Sequence, residues 1–596
     1  MRHGNKQATR TLRRKRHRGN GFCSFINEYH SGLWLFLLGV VIFLALALSG
    51  LVYEMSSSLN DYDNNNINNK EEDSASAISN NLREPRREQQ NQQYSSSSFS
   101  LPPHLQPIVP VLPAFAPISD AAQLVNDLLH HNKPTMAGIQ AYLQDFLQKL
   151  HQSNYQMSHN PNRDALGIVE EFFKLAQPHL GRLEKAYLDQ PVFPVRQDQS
   201  IYMSLAAFRE HLLADTLAYA FSQAKYPDKL FVGAVVQNCF GKVDEQGNID
   251  PSGLPCKTGA QVVGKNSKGR DMTKVSDAPP DVNGIEEFCT QMGDKFRQYC
   301  DRGQIRVLYV HETESLGPAM ARYYASKLWG GETYFLQTDS HLMFASEWDE
   351  KYRKEIQATS NYPKSVLSSY PPGFNGVTKN PNHDGINNHT AHTVRESNGA
   401  RLCYCETRTE DPNPIVRINT GLPYHGDEPR PTQIPYIAAG FFFARAECLT
   451  DWPFDPYMPW LFMGEEIALS MRAWTNGWNI YAPRKNLIAH QYRPGRMGLP
   501  KFWGTVNRLY QGRPGNNVLQ RPPLKRIKHL VGYPDSTLEK IKEENLEYVL
   551  TDLEHFGLGT ERSWEEYMDF AFMSIDKEKD AIVCKRNTWC NSGAKD

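Results

Sequence analysis

A carboxylate and an imidazole two positions apart, Asp339 and His341, are the clearest candidates for chemistry in this chain. They follow a short apolar run, Thr333 to Gln337, which lies between glycines and a polar break and predicts a buried parallel strand. Side chains two residues apart in extended chain point the same way, so an oxygen and a nitrogen ligand would converge there and suit Mn2+ or another divalent metal. In the purely structural alternative, Asp339 caps a turn and His341 packs against Leu342.

A second set of candidate groups follows later in the chain. Gly464-Glu465-Glu466 opens a predicted helix with apolar residues at helical spacing, and Gly477 ends it. His490 ends a predicted strand, NLIAH. The structural alternatives are an acidic pair that only complements the helix dipole and a histidine bonded to a backbone group.

The elements that must position these residues alternate from Ser200 onward. Predicted strands SIYMSLAAF, LFVGAVVQNC, IRVLYVHE and ETYFLQ are separated by predicted helices HLLADTLAYAFSQA, 284–300 and PAMARYYASKLW. This order predicts an α/β fold with a mostly parallel sheet and a ligand site at the carboxyl ends of its strands. The sequence contains neither GxGxxG after the first strand nor GxxxxGK[ST], so dinucleotide and P-loop phosphate sites are not supported.

The N-terminal part predicts attachment to a membrane. Eight Lys and Arg residues crowd the first 20 positions, and residues 33–53 carry no charge over about the length of one membrane-spanning helix. We therefore expect a basic cytoplasmic tail (1–32), a signal anchor (33–53), a disordered stem (54–118) and a helical region (119–198) that could pack on the head or support a homodimer. A cleaved signal peptide is the alternative, but its apolar core would be shorter.

Composition narrows the class of partner. The formal net charge is -1 over 596 residues, which gives no reason to expect nucleic acid as a partner. Nine cysteines follow the predicted anchor, and a lumenal compartment would permit disulfides. Because nine is odd, at least one thiol should stay free or pair with a cysteine of another chain, and Cys584 with Cys590 could close a small loop.

These segments together resemble a known family. Residues from about 200 to 575, through SLAAFRE, AKYPDKLFVGAV, TDSHLMF, AAGFFFARAE, GEEIALSMRAW and FGLGTERSWEEY, are similar to N-acetylglucosaminyltransferases that act on protein hydroxyl groups. That family includes a cytoplasmic enzyme that modifies hydroxyproline and Golgi relatives that modify mucin-like polypeptides. A more distant similarity is to polypeptide N-acetylgalactosaminyltransferases. Both resemblances imply a GT-A fold, a UDP-sugar donor, Mn2+ and retention of anomeric configuration.

The resemblance also implies roles for residues. Metal ligation is implied for Asp339, His341 and, from the more distant family, His490; donor contacts are implied for Ala207, Phe208, Glu210, Arg322 and Asp339. In the family, the first strand usually ends in the sequence tyrosine–arginine–aspartate, where this chain has Phe208-Arg209-Glu210. By the resemblance, the acidic pair, Glu465 and Glu466, falls near the donor sugar and the acceptor. One carboxylate is expected to position other groups, and the role of the other is not assigned. Retention could proceed through a carboxylate nucleophile or through attack of the acceptor on the face that UDP leaves.

The expected protein is a single-pass type II Golgi membrane glycosyltransferase with its head in the lumen. It would transfer GlcNAc from UDP-GlcNAc to a Ser, Thr or hydroxyproline hydroxyl of a protein or glycoprotein. The alternatives are a UDP-GalNAc donor, a glycan acceptor, or an inactive lumenal lectin-like scaffold. The GT-A domain is expected at 199–515, followed by a C-terminal helical segment and tail at 516–596.

Overall fold

A computed structural model describes residues 134–160, 164–250, 255–259, 261–373, 394, 396–407, 413–419, 422–423, 428–492, 499–511 and 516–584. The predicted tail, anchor and stem lie outside these residues, as do Cys590 and the first part of the predicted helical region. Within the described ranges, no helix combines the length and the apolar character that crossing a bilayer requires.

Fifteen α-helices occur in the described residues. In chain order they are α1 Met136–His159, α2 Ala165–Ala176, α3 Arg182–Ala186, α4 Leu213–Gln223, α5 Gly284–Glu286, α6 Asp294–Asp301, α7 Pro318–Lys327, α8 Trp348–Gln357, α9 Cys448–Asp451, α10 Glu465–Thr475, α11 Leu499–Leu509, α12 Asn516–Leu530, α13 Leu538–Glu543, α14 Leu553–Phe556 and α15 Trp564–Phe570. Short 3-10 turns follow at Pro227–Lys229, Glu312–Glu314, Pro534–Ser536 and Glu547–Leu550, and π-helical turns at Gln177–Gly181 and Glu287–Gln291.

The strands of the described residues number 24. They are β1 Ile201–Phe208, β2 Leu230–Asn238, β3 Lys242–Val243, β4 Ile249–Asp250, β5 Cys256–Lys257, β6 Gln261–Lys265, β7 Asp271–Lys274, β8 Asp277–Ala278, β9 Ile305–His311, β10 Tyr334–Thr338, β11 Leu342–Phe344, β12 Ser365–Ser368, β13 Ser397–Asn398, β14 Ala400–Arg401, β15 Tyr404–Thr407, β16 Val416–Asn419, β17 Leu422–Pro423, β18 Thr432–Ile434, β19 Phe441–Arg445, β20 Asn479–Ala482, β21 Lys485–Asn486, β22 Ile488–His490, β23 Met573–Asp576 and β24 Ala581–Cys584.

Eight of these strands form the central sheet, in the order β18-β20-β12-β19-β10-β1-β2-β9. Four of its seven neighbouring pairs are parallel, namely β1 with β2, β1 with β10, β2 with β9 and β12 with β20. The other three are antiparallel, and two of these involve β19. The predicted α/β fold with a mostly parallel sheet is therefore confirmed, with β18 and β19 running against the rest.

Both faces of the sheet are buried, which explains why its strands show continuous apolar runs rather than alternation. On β1, Tyr202 packs into one core, whereas Ile201, Met203 and Leu205 pack into the other. Helix α4 covers the second face, and α7 covers the first.

The N-terminal helices share a core with the sheet rather than standing apart. Phe146 of α1 lies 6.4 Å from the ring of Tyr324 on α7, and Phe172 of α2 lies 6.2 Å from the ring of Trp460. Phe173 also stacks on Tyr457 with ring centroids 5.5 Å apart. The described part of the predicted helical region thus packs on the head.

The single helix predicted at 284–300 is interrupted. Helix α5 ends at Glu286, a π-helical turn follows, and α6 begins only at Asp294. Gly293 separates them with φ of 97°, a left-handed conformation that glycine adopts without strain. A disulfide between Cys289 and Cys300 links the two parts.

The disulfides correct one expectation. Cys584 is bonded to Cys405, not to Cys590, because β24 lies against β15, where the Thr407 hydroxyl donates to the Ile582 carbonyl at 2.8 Å. A further bridge joins Cys239 to Cys256. Among the described cysteines, Cys448 is a buried free thiol.

Candidate active site

A cleft of about 750 Å³ opens at the carboxyl ends of β1, β2 and β10. This is the edge of an α/β sheet at which ligands are expected. Its walls bring together charged, amide and aromatic side chains from distant parts of the chain. The lining includes Phe208, Arg209, Glu210, Gln237, Ser315, Arg322, Asp339, His341, Tyr370, Glu466, His490, Tyr492 and Phe502.

The two predicted halves of the metal site meet through a two-stranded ribbon. β11, directly after the Asp339 triplet, pairs with β22 so that Leu342 faces His490. The Thr216 hydroxyl accepts from the Leu342 amide at 2.9 Å and donates to the Ser340 carbonyl at 2.9 Å, which fixes the turn between β10 and β11. Asp339 and His490, which are 151 residues apart in sequence, thus become neighbours.

Asp339, His341 and His490 form a compact group of potential ligands. One ligand atom from each lies within 4.8 Å of the others, and the Oδ2 of Asp339 is 3.0 Å from the Nε2 of His490. Burial alone would raise the pKa of Asp339, but the bond to His490 and the charge of Arg322 outweigh it and hold this pKa well below its usual value. An ionised carboxylate with two imidazoles is a donor set that fits Mn2+ or a similar first-row divalent ion.

Glu210 orients one of these histidines. Its Oε2 lies 3.0 Å from the Nδ1 of His341, while its Oε1 accepts from the Leu212 amide at 2.8 Å. A proton held on Nδ1 leaves the Nε2 lone pair for a metal, the arrangement in which carboxylates commonly support metal-bound histidines. Glu210, expected from the resemblance to touch the donor, is thereby placed behind His341 as well as on the cleft wall.

Replacing Glu210 by glutamine should weaken Mn2+ binding by about 10–100-fold, because the carboxylate that fixes the His341 ring is lost. The Gln oxygen can still accept from the Leu212 amide, so the fold should persist. Titration of Mn2+ followed by paramagnetic resonance measures the effect, with surface Glu245→Gln as the control. An unchanged Mn2+ affinity would contradict the positioning role.

Arg322 bridges the metal group and the acidic helix start. Its Nη1 contacts Glu465 at close range, and its Nη2 lies 3.3 Å from the Oδ1 of Asp339. Burial raises the pKa of Glu465, and the charge of Arg322 offsets this only in part. The Oε1 of Glu465 has no hydrogen-bond partner among the described residues. Glu465 is thus largely committed to holding Arg322.

Glu466 points to different partners. Its Oε1 accepts from the Tyr370 hydroxyl at 2.7 Å and from the Ala439 amide at 2.9 Å, and it lines the cleft. Burial raises the pKa of Glu466 to about 7, although both hydrogen bonds act to lower it. A carboxyl group with this pKa exchanges its proton near neutral pH.

Two glycines allow this close packing. Gly464, which precedes α10, has φ of 101°, and a Cβ there would meet the Ile415 Cδ1 at 2.7 Å. A Cβ on Gly440 would lie 3.0 Å from the Oδ2 of Asp339. A side chain at Gly464 would displace α10, and one at Gly440 would crowd the candidate ligand Asp339.

The end of β1 departs from expectation at one position. Ala207 is fully buried in the sheet core and is not part of the cleft wall, whereas Ala206 and Phe208 line it. Neighbouring side chains on a strand point to opposite faces of the sheet. Ala206 and Phe208 therefore face the cleft, and Ala207 faces the core on the other side of the sheet. A contact from the Ala207 side chain to a donor in the cleft is therefore not available.

Sequence reasoning missed Gln237, Ser315 and Tyr370, which all line the cleft. Gln237 ends β2 and accepts at Oε1 from the Ser315 hydroxyl at 2.6 Å, and its Nε2 has no hydrogen-bond partner within the described part of the chain. Tyr370 follows β12, a strand that the sequence did not predict. The only available signal for Gln237 was a polar residue at the end of a predicted buried strand.

Comparison with known proteins gives one matching family model and two similar solved structures. The family model described as Glycosyltransferase (GlcNAc) matches residues 200–578. The chain is similar to a crystal structure of GalNAc-T7 with UDP, GalNAc and Mn2+, at 12% identity and a TM-score of 0.33, covering 64% of this chain and 60% of that one. It is also similar to a crystal structure of S. aureus TarS, at 13% identity and a TM-score of 0.27, covering 60% and 54%. The chain thus spans less than two thirds of the length of either protein. No curated protein sequence matches it significantly.

Proposed function

The chain belongs to the GlcNAc glycosyltransferase family and is a glycosyltransferase, and on that premise we propose its donor, acceptor and mechanism. The donor is UDP-GlcNAc, and the acceptor is a Ser, Thr or hydroxyproline hydroxyl of a protein. Transfer retains the anomeric configuration, on a GT-A type of fold. The observation that carries the proposal is the cleft at the sheet edge, where Asp339, His341 and His490 converge beside Arg322 and Glu466.

The proposed metal ligands are Asp339, His341 and His490. A divalent ion bound by them would supply positive charge against the diphosphate of UDP and so favour its departure. The chain's own contribution is to orient the ligands. Glu210 holds the His341 ring, and β22 holds His490 against β11.

The two acidic residues receive separate roles. Glu465 is a positioning residue, because its carboxylate holds Arg322 beside Asp339. Glu466 is the residue next to the reacting groups, because it lines the cleft and exchanges its proton near neutral pH. A carboxyl that is half protonated there suits binding of the acceptor hydroxyl better than nucleophilic attack.

We therefore favour attack of the acceptor on the face from which UDP leaves. The hydroxyl oxygen of the acceptor bonds to C1 of the sugar as the bond between C1 and the phosphate oxygen breaks. The bond electrons and the hydroxyl proton leave with UDP. Glu466 would orient the hydroxyl during this step, and water exclusion by Phe208 and Tyr370 would limit hydrolysis.

Gln237 is the proposed contact to the uracil base. Replacing it by leucine should raise the KM for the donor about 10-fold and leave kcat nearly unchanged, since one hydrogen bond common to ground and transition states is lost. Steady-state kinetics with varied donor measure this, with Gln298→Leu on α6 as a matched control. A fall in kcat at constant KM would contradict a binding role.

A donor screen tests the proposed function directly. The purified full chain is incubated with a set of UDP-sugars, and hydrolysis is followed with and without Mn2+, then with an array of peptides containing Ser, Thr and hydroxyproline. Preferred turnover of UDP-GlcNAc with peptide transfer supports the proposal. Preference for UDP-GalNAc or for glycan acceptors would replace it, and no turnover of any donor would indicate an inactive scaffold.

Placement in the cell is part of the proposal and rests on residues 1–53 of the sequence. A basic tail before an uncharged run of 21 residues supports a type II Golgi membrane protein with the cleft in the lumen. Protease treatment of intact Golgi vesicles should leave residues 134–584 protected. Digestion of this part in sealed vesicles would refute the lumenal orientation.

A further inference from the structure

A second cavity of about 370 Å³ lies outside the cleft, and Arg472 forms part of its wall. Helix α10 connects the two sites, since Glu465 and Glu466 stand at its start and Arg472 in its last turn. The other walls come from the connector 187–192, the end of α7, residues 449–454 and the loop 554–560. Its volume falls at the lower end of the range for small-molecule pockets.

Arg472 is buried, and within the described part of the chain no carboxylate forms a salt bridge with it. Only 2% of the residue is exposed, and its side chain makes one hydrogen bond, from Nε to the Gly557 carbonyl at 3.3 Å. The neighbouring Asp455 is bonded instead to Arg526, whose Nε lies 2.7 Å from its Oδ2. Asp455 thus forms its salt bridge with Arg526, and Arg472 makes no salt bridge with any residue that the structure describes.

Burial lowers the pKa of Arg472 to about 10, and it remains cationic at neutral pH. A buried cation without an anionic partner costs several kcal/mol in proteins, so such a charge normally has a counterion. A guanidinium can donate five hydrogen bonds in a planar fork that matches an oxyanion. Among the residues that the structure describes, only the Gly557 carbonyl accepts a hydrogen bond from this group.

The acidic residues around the cavity do not supply the missing partner. Glu184 accepts from Lys327 at 2.8 Å and from Tyr323 at 2.7 Å, and Asp451 accepts from the Trp478 indole at 2.8 Å. The remaining two, Asp189 and Glu554, are exposed. Lys327 and His555 add two further basic groups to the lining.

We propose that this cavity is a second binding site, which takes the carboxylate, phosphate or sulfate group of a small ligand on Arg472. The site is separate from the donor cleft and requires neither UDP-sugar nor metal. Occupancy would fasten the loop 554–560 and the connector 187–192 to the end of α10.

Calorimetric titration of the full chain tests the site with sodium sulfate and sodium acetate as tetrahedral and planar probes, against sodium chloride at matched ionic strength. We expect saturable binding with a dissociation constant on the order of 1 mM or below, and a rise in unfolding temperature of about 2 °C at ten times that concentration. Non-specific stabilisation by sulfate would not saturate at millimolar concentration.

Arg472→Gln should abolish this binding, Arg472→Lys should weaken it several-fold, and surface Arg297→Gln should leave it unchanged. Sulfate should also slow amide hydrogen exchange in residues 553–560 of the wild type, a measurement that needs no variant if Arg472→Gln fails to fold. Absence of saturable binding in the wild type, or equal binding in Arg472→Gln, would overturn the proposal. A preference for sulfate over acetate would identify a phosphate-like group, and the reverse a carboxylate.

Discussion

Asp339→Ala is expected to lower kcat/KM for transfer by about 10³-fold or more and to remove specific Mn2+ binding. Asp339 is the one anionic member of the ligand group, and it also holds His490 at 3.0 Å and Arg322 at 3.3 Å. A metal that stabilises a departing phosphate contributes several kcal/mol, and each 1.4 kcal/mol is a factor of ten in rate. Donor hydrolysis and peptide transfer measured across a range of Mn2+ concentrations report both effects.

Asp339→Asn separates charge from shape, because the amide keeps the size of the side chain but carries no charge. We expect nearly the same loss of activity, together with a lower unfolding temperature at neutral pH, because the charge that pairs with Arg322 and His490 is lost. Asp301→Ala, an exposed position on α6, is the control for a lost surface carboxylate. Full activity in Asp339→Ala, or turnover that does not depend on Mn2+, would overturn the proposed metal site.

Glu466→Gln should stabilise the protein above neutral pH and at the same time lower transfer about 10²-fold. The pKa of Glu466 is about 7 in the folded protein and 4.5 as an ordinary carboxyl group. The folded state therefore binds the proton more tightly, and the stability that this carboxyl contributes at low pH is lost as pH rises from 4.5 through 7. The glutamine does not titrate, so the variant should gain about 3 kcal/mol over the wild type at pH 8 and little at pH 4.

Chemical unfolding of the protein at pH 4, 6 and 8 measures this difference. The glutamine oxygen can still accept from Tyr370 and the Ala439 amide, so the geometry of the site should persist. Glu465→Gln is the matched comparison, because it removes the carboxylate that holds Arg322 and should lower transfer by releasing that guanidinium rather than through a proton on Glu466. Parallel pH profiles for wild type and Glu466→Gln would show that Glu466 titrates normally and has no special proton affinity.

Sequence alone predicted the frame of the site well. The four strands before Asp339, the acidic start of α10 and the histidine at the end of β22 were all predicted, because long apolar runs and glycine breaks mark them. The closeness of His490 to Asp339 and His341 could not be read from the sequence. It depends on the pairing of β11 with β22, a contact across 151 residues that leaves no local signal.

The strand β12 was missed for a physical reason. Ser365–Ser368 is fully buried, but half of it is serine, so it lacks the apolar pattern of a core strand. Its hydroxyls are satisfied internally, as where Ser368 donates to the Phe441 carbonyl at 2.8 Å. Tyr370, which follows this strand and donates to Glu466, was lost with it. The sequence also could not show which side chains of β1 face the cleft. Both faces of that strand are buried, and Ala206 and Ala207 are the same residue type.

The pairing of β11 with β22 has a consequence for biosynthesis. A growing polypeptide that has reached Asp339 and His341 still lacks His490, and at ordinary translation speeds the missing part takes roughly 8–30 s to be made. During this interval the nascent protein has an unfinished pocket, which on the proposed function does not yet bind the nucleotide sugar. On this proposal the enzyme gains its activity late in synthesis, when the ribosome has delivered the last of the three proposed metal ligands and β11 can pair with β22.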